Sequence, residues 1–314
     1  MNSTAGSQVL LRDTFPTAFA KNLILVMVWF CLSYINGSVV ATFFSNQTFY
    51  QDPRYILFIH MVINDAVLLT VSVTMTLVSY IFYKISVSIC AGLVLVASFT
   101  THNTPVNLAG MAIERYIAVC HPLRHAQICT VRRTYILIGF IWFFSFVPDI
   151  TDLFVMLAKE PLSFFYTSVF CLRQNVFKEP VLLYRRDVFD VFYFSLVFLM
   201  LIYTYLRVLL AARAMSTDKT SIQRARNTIL LHGGQLLICM LSYFYSSIEM
   251  FLSIIFPVNI TEIRYANFLI VFIAPRFLSP IIYGVRDQKF RKYLKRYFFI
   301  CRHKVHTKVE NHEE

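Results

Sequence analysis

Charge is missing from the long middle of this sequence: from Ile85 to Ile113 there is no Asp, Glu, Lys or Arg. Over the whole chain charged residues make up 15%, where a soluble domain carries about 25%. Glycine is scarce as well, with eight in 314 residues, and no glycine-rich loop is present to cradle a phosphate. No H-E-x-x-H and no G-x-S-x-G occurs, so the chain lacks the signatures of zinc and serine hydrolases. It reads as a non-enzyme. The absence of an internal repeat, or of broken helices in matching halves, argues against a transporter. No basic-then-apolar leader ending in small residues opens the chain, so no cleaved signal peptide is expected.

What is present is oil in blocks. Hydrophobic residues make up 57% of the chain and the mean hydropathy is +0.60. A helix of about 20 apolar residues spans a bilayer because its backbone polar groups are satisfied internally. Seven such blocks are predicted, at 22–44, 55–83, 85–120, 134–158, 188–206, 227–256 and 265–285. The fold class expected is an all-α membrane protein, a seven-helix bundle over 22–285. A tail over 1–21 precedes it, and a short amphipathic helix and tail over 286–314 follow it. Of the 29 Lys and Arg, 18 fall on the side shared by the C-terminus and 9 on the other. The positive-inside rule places the N-terminus outside and the C-terminus in the cytoplasm of a multi-pass plasma-membrane protein. The net charge of +12 therefore belongs to the inner face, where anionic lipid attracts it, and not to a nucleic-acid partner.

That topology sorts the seven cysteines. Cys90 and Cys171 fall outside together and are expected to form a disulfide. Cys31 and Cys239 lie in spans, while Cys120, Cys129 and Cys301 face the cytosol. Asn2 starts an external Asn-Ser-Thr glycosylation sequon, and Asn259 starts one close to the membrane.

The stretch "MAIERYIAVCHPLRH" (111–125) ends the uncharged run, and its Glu114-Arg115-Tyr116 resembles the acid-Arg-Tyr motif of rhodopsin-like G-protein-coupled receptors. Cys90, 25 residues before Arg115, Asn36, Asp65 and Trp142 are similar to family positions on helices 3, 1, 2 and 4. "SPIIY" (279–283) resembles the Asn-Pro-x-x-Tyr of helix 7, with Ser279 in place of Asn. Within the family, "MAIERYIAVCHPLRH" and "SPIIYGVRDQKFRK" are similar to signatures of odorant receptors, most of all the fish type. The "KAFSTC" that opens their helix 6 is absent, replaced by "RARNTILLHGG". The resemblance implies a receptor for a small odorant that activates a heterotrimeric, olfactory-type stimulatory G protein and raises cyclic AMP. The alternative is a non-olfactory rhodopsin-like receptor for another small molecule.

Roles follow for single residues. Glu114, Arg115, Tyr116, Pro280 and Tyr283 are the expected coupling and activation residues; Arg115 either pairs with Glu114 at rest or simply snorkels to water. No acid occurs in "SIQRARNT" at the start of helix 6, so a weak lock and ligand-free signalling are expected. Asp65 and Arg276 sit mid-span, where an ionised group costs about 2.5–3.5 kcal/mol. They are expected to pair, with the guanidinium standing where family members hold sodium; the competing reading leaves Asp65 on the ion. No cofactor is otherwise implied. Ala97, Ser98, Thr101, His102, Pro105, Tyr243, Ser246, Ser247 and Met250 are the expected ligand contacts. His102 reads equally as a histidine bonded to neighbouring helices. Ala97 stands where amine receptors carry an aspartate, which speaks against an amine held at that position. Asp187 and Asp190 are expected at the start of helix 5, where acids suit a helix N-terminus. After helix 7, Phe290, Tyr293, Leu294, Tyr297 and Phe298 form an apolar stripe facing inner-leaflet lipid, with Cys301 either palmitoylated or an inert thiol.

Overall fold

The computed structural model describes residues 14–215, 234, 237, 244–256, 260–278, 280, 287 and 289–294; side chains 212–215, 246, 247, 250, 253, 260 and 261 are excluded. Tyr243, Ser279, Tyr283, Asn2, Asn259, Cys301, Tyr297 and Phe298 lie outside these residues, as do the side chains of Ser246, Ser247 and Met250.

Five helices long and apolar enough to cross a membrane occur among the described residues. They are α1 (Phe15–Phe44), α2 (Pro53–Phe82), α3 (Val87–Cys120), α5 (Val131–Lys159) and α8 (Pro180–Met215). Short helices α4 (Pro122–Ile128), α6 (Leu162–Phe165) and α7 (Arg173–Val176) lie in the connections. Parts of the last two expected spans follow as α9 (Tyr245–Ile255) and α10 (Ile260–Asn267), the latter running into a π-helical segment, Phe268–Ile273.

Local chemistry sets the ends. Pro53 occupies the first turn of α2, where a missing N–H is harmless, and the Asp52 carboxylate accepts from Arg54 N at 3.0 Å. Thr130 caps α5 by accepting from Arg133 N at 3.3 Å. At the other end of α2, Tyr83 reverses the chain with φ of 56°, a left-handed conformation that bulky residues seldom adopt.

Solvent-style burial is inverted. Phe19, Leu23, Met27, Phe30 and Tyr34 of α1 repeat at helical spacing and are all exposed, the pattern of a face turned to lipid. The interior carries polar groups instead, and among the described helices α3 holds more of them than any other, buried where it packs against α2, α5 and α8. Asn64 donates to Thr104 Oγ1 (2.8 Å), which donates to Asp65 (2.9 Å), tying α2 to α3. Gly110 permits the approach of α3 to α5, since a Cβ there would meet Leu137 at 3.2 Å.

One end of the bundle is roofed. Ile85–Ser86 (β1) pairs antiparallel with Ser168–Val169 (β2), and Cys90 is disulfide-bonded to Cys171. At the opposite end, Phe290 is fully buried against Phe49, Tyr55 and Phe58. Its helical turn is capped by Asp287, which accepts from Phe290 N (2.9 Å) and Tyr55 OH (3.0 Å) and pairs with Arg54 at 3.0 Å. The stripe expected to face lipid is thus turned into protein, at least through Phe290, with Tyr293 and Leu294 half-buried beside it. An aromatic pocket around the start of α2 receives the Phe290 ring.

Candidate functional site

Beneath the disulfide roof lies a cavity of about 710 Å³, within the size range of small-molecule sites. Its wall comes from α1 (Lys21, Asn22, Leu25), α2 (Ser72, Met75, Thr76, Tyr80), α3, the disulfide loop, α8, α9 (Tyr245) and α10 with its π-helical continuation (Arg264, Phe268, Phe272). Of the expected contacts on α3, Ala97, Ser98 and Thr101 line it; His102 and Pro105 do not. The cavity leans toward α1 and α2, which the sequence reading had not considered.

His102 is 1% exposed and serves as a joint between α3 and α8. Its Nε2 lies 2.9 Å from Asp190, its ring packs among Phe189, Tyr193 and Phe194, and its carbonyl accepts from Tyr193 OH. The Arg186 guanidinium lies 3.1 Å from both ring nitrogens.

Around that joint sits an ion network the sequence reading missed. Arg186 reaches Asp149 at 2.6 Å and Asp190 at 3.2 Å, and also donates to Ser98. Arg173 of the disulfide loop pairs with Asp152 and approaches Asp149 at 3.6 Å; Arg185 also pairs with Asp152. Asp149 and Asp152 are 1% and 0% exposed, so each depends on these partners. Burial, then the neighbouring Arg186 charge, lowers the Arg173 pKa to about 10. A signal was available: Asp149 and Asp152 interrupt an apolar span three residues apart, hence on one helical face. Asp187 and Asp190 also change meaning, because α8 begins at Pro180 and places them two turns inside. Both line the cavity; they are not helix-start acids.

Asp65 and Arg276 are both buried, but no ion pair within 4.0 Å joins them. Asp65 accepts from Thr104, whereas Arg276 stacks 3.9 Å over the Phe272 ring and donates to the Phe272 carbonyl. Each group thus finds its contacts elsewhere, Arg276 one turn back on its own helix and Asp65 on α3.

At the end opposite the roof, Glu114 is buried and engaged twice. His125 of α4 stands 3.0 Å from it and Arg115 Nε 3.8 Å. The Tyr116 ring lies beside His121 and Tyr203. Burial, and then the Glu114 charge, raise the Cys129 thiol pKa. Pro280 is buried. Trp142 donates to His60 at 2.8 Å, joining α5 to α2.

The chain thus carries a ligand-sized cavity at one end and an acid-Arg-Tyr at the other. The model of the 7 transmembrane receptor (rhodopsin family) matches residues 35–283. The chain is 31% identical to odorant receptor 131-2 of Danio rerio, covering 97% of this chain and 95% of the relative. The chain belongs to the rhodopsin family of seven-transmembrane receptors, among its odorant receptors. Two human proteins are also similar: olfactory receptor 2M3, 23% identical over 92% of this chain and 94% of its own, and olfactory receptor 51D1, 27% identical over 76% and 75%. This receptor is accordingly a multi-pass membrane protein of a non-enzyme family.

Proposed function

We propose that this receptor detects a small odorant in the cavity under the disulfide loop and couples to an olfactory-type stimulatory G protein that raises cyclic AMP. The observation that carries the reading is the cavity itself, bordered by the disulfide loop and faced by Ala97, Ser98 and Thr101 of the same helix that carries Glu114-Arg115-Tyr116 near its other end. The N-terminus is outside and the C-terminus cytoplasmic, so the cavity opens toward the extracellular fluid and Arg115 meets the G protein. Ligand shifts the population by binding the active arrangement more tightly, and its effect is bounded by that difference. The Arg276 charge reaches Asp65 through space without a direct ion pair, and on that ground Asp65 works without sodium.

The test is a screen of water-soluble odorants against a cyclic AMP reporter, repeated with Ala97→Trp, which fills the cavity. A response abolished by Ala97→Trp at equal surface expression supports the reading; one indifferent to it refutes it. Cyclic AMP in unstimulated cells should exceed that of mock-transfected cells. Sodium that lowers agonist affinity in wild type but not in Asp65→Asn would refute the sodium-free account.

A further inference from the structure

Among the described residues, the charges around the cavity do not cancel. Four cations line it, Lys21, Arg173, Arg186 and Arg264, and each is already held by a carboxylate. Lys21 pairs with Glu262 at 2.8 Å and Arg264 with Glu249 at 2.5 Å, while Arg173 and Arg186 are taken by Asp149, Asp152 and Asp190. Arg185 shares Asp152. Five cations thus face five carboxylates. Asp187 is the sixth carboxylate; it lines the cavity and has no hydrogen bond or ion pair among the described residues. An anionic ligand would have to displace a carboxylate from a formed pair and would meet the Asp187 charge, which is exposed on the cavity wall. A cation needs no such exchange. It completes the charge balance, and the wall carries four aromatic residues, Tyr80, Phe170, Tyr245 and Phe268, whose π-systems attract a cation.

We infer that the cavity selects a small organic cation, an alkyl ammonium group set against Asp187 with its carbon chain on the apolar wall. This rests on the cavity being the ligand site, as proposed above. It places the counter-ion on α8 and leaves Ala97 of α3 free of that task.

The experiment uses the full-length purified receptor and four probes with the same chain: heptylammonium, heptyltrimethylammonium, 1-heptanol and heptanoate. The readout is the concentration dependence of the shift in thermal unfolding midpoint, measured for wild type, Asp187→Asn, Asp187→Glu and Ala97→Trp. The two cations should bind wild type and Asp187→Glu. They should weaken at least about tenfold in Asp187→Asn, about 1.4 kcal/mol. The permanently charged trimethyl probe separates attraction to charge from hydrogen bonding. Cations that bind Asp187→Asn as well as wild type, or that do not bind wild type, overturn the inference. Heptanol or heptanoate binding that is blocked by Ala97→Trp but indifferent to Asp187→Asn overturns it while sparing the cavity. If no probe is affected by Ala97→Trp, the cavity reading falls as well, and this inference falls with it.

Discussion

Replacing Asp152 by Asn tests the ion network most sharply. The side chain is wholly buried and satisfied by two guanidiniums from different segments, Arg173 of the loop and Arg185 of α8. Breaking a buried pair by removing one partner costs about 3–5 kcal/mol when the other is left stranded. Here the stranding is incomplete. Arg185 is 39% exposed and turns to water at little cost, and Arg173, 24% exposed, keeps Asp149 at 3.6 Å. The amide retains one acceptor oxygen for either guanidinium. A cost of about 2 kcal/mol is therefore expected, below the fully buried range. At about 2–4 °C per kcal/mol for a chain of this size, the midpoint should fall by about 4–8 °C. The assay is thermal unfolding of detergent-purified receptor, with Arg185→Gln and the double variant closing a cycle. The double variant should be less destabilised than the sum of the singles by about 1 kcal/mol or more. A midpoint for Asp152→Asn within about 1 °C of wild type, or a strictly additive double variant, would refute the reasoning.

Three further outcomes are expected. Phe290→Ala empties the aromatic pocket, a loss of about 3–5 kcal/mol of docking energy; amide exchange over 289–294 should quicken while the bundle's midpoint hardly moves. Burial and then the Glu114 charge raise the Cys129 thiol pKa, so Glu114→Gln should speed maleimide labelling of Cys129 at neutral pH through a larger thiolate fraction, and an unchanged rate would sink the account. Opening the Cys90–Cys171 bridge, 81 residues apart in sequence, should cost about 4–5 kcal/mol on chain-entropy grounds, read as lost surface expression of Cys90→Ser.

The spans were legible because lipid imposes a one-dimensional rule: an apolar run either is long enough or is not. The disulfide was legible because topology leaves Cys90 and Cys171 together on one side. What sequence alone concealed depends on pairings across the bundle. Arg186 and His102 are 84 residues apart, and nothing in either neighbourhood announces the other. His102 looked like a ligand contact because its face on α3 was counted correctly, but a face that points inward also meets α8, and Asp190 takes it. The start of α8 was set eight residues late because Arg185, Arg186 and Asp187 resemble the end of a span. They remain helical because each charge finds a partner or the cavity. The stripe after helix 7 had the spacing of a lipid-facing helix, and spacing cannot tell lipid from an aromatic pocket.

Helix α8 runs for 36 residues, and after Pro180 it contains neither proline nor glycine. At 1.5 Å per residue it is about 54 Å long, against roughly 30 Å of hydrocarbon. Without a hinge residue it has no ready place to bend. The same stiff rod that offers Asp187 to the cavity sets Tyr203 beside Tyr116 and the Arg207 carbonyl 3.9 Å from the Cys120 sulfur. A tilt begun at one tip reaches the other as a displacement, with no loop in between to absorb it.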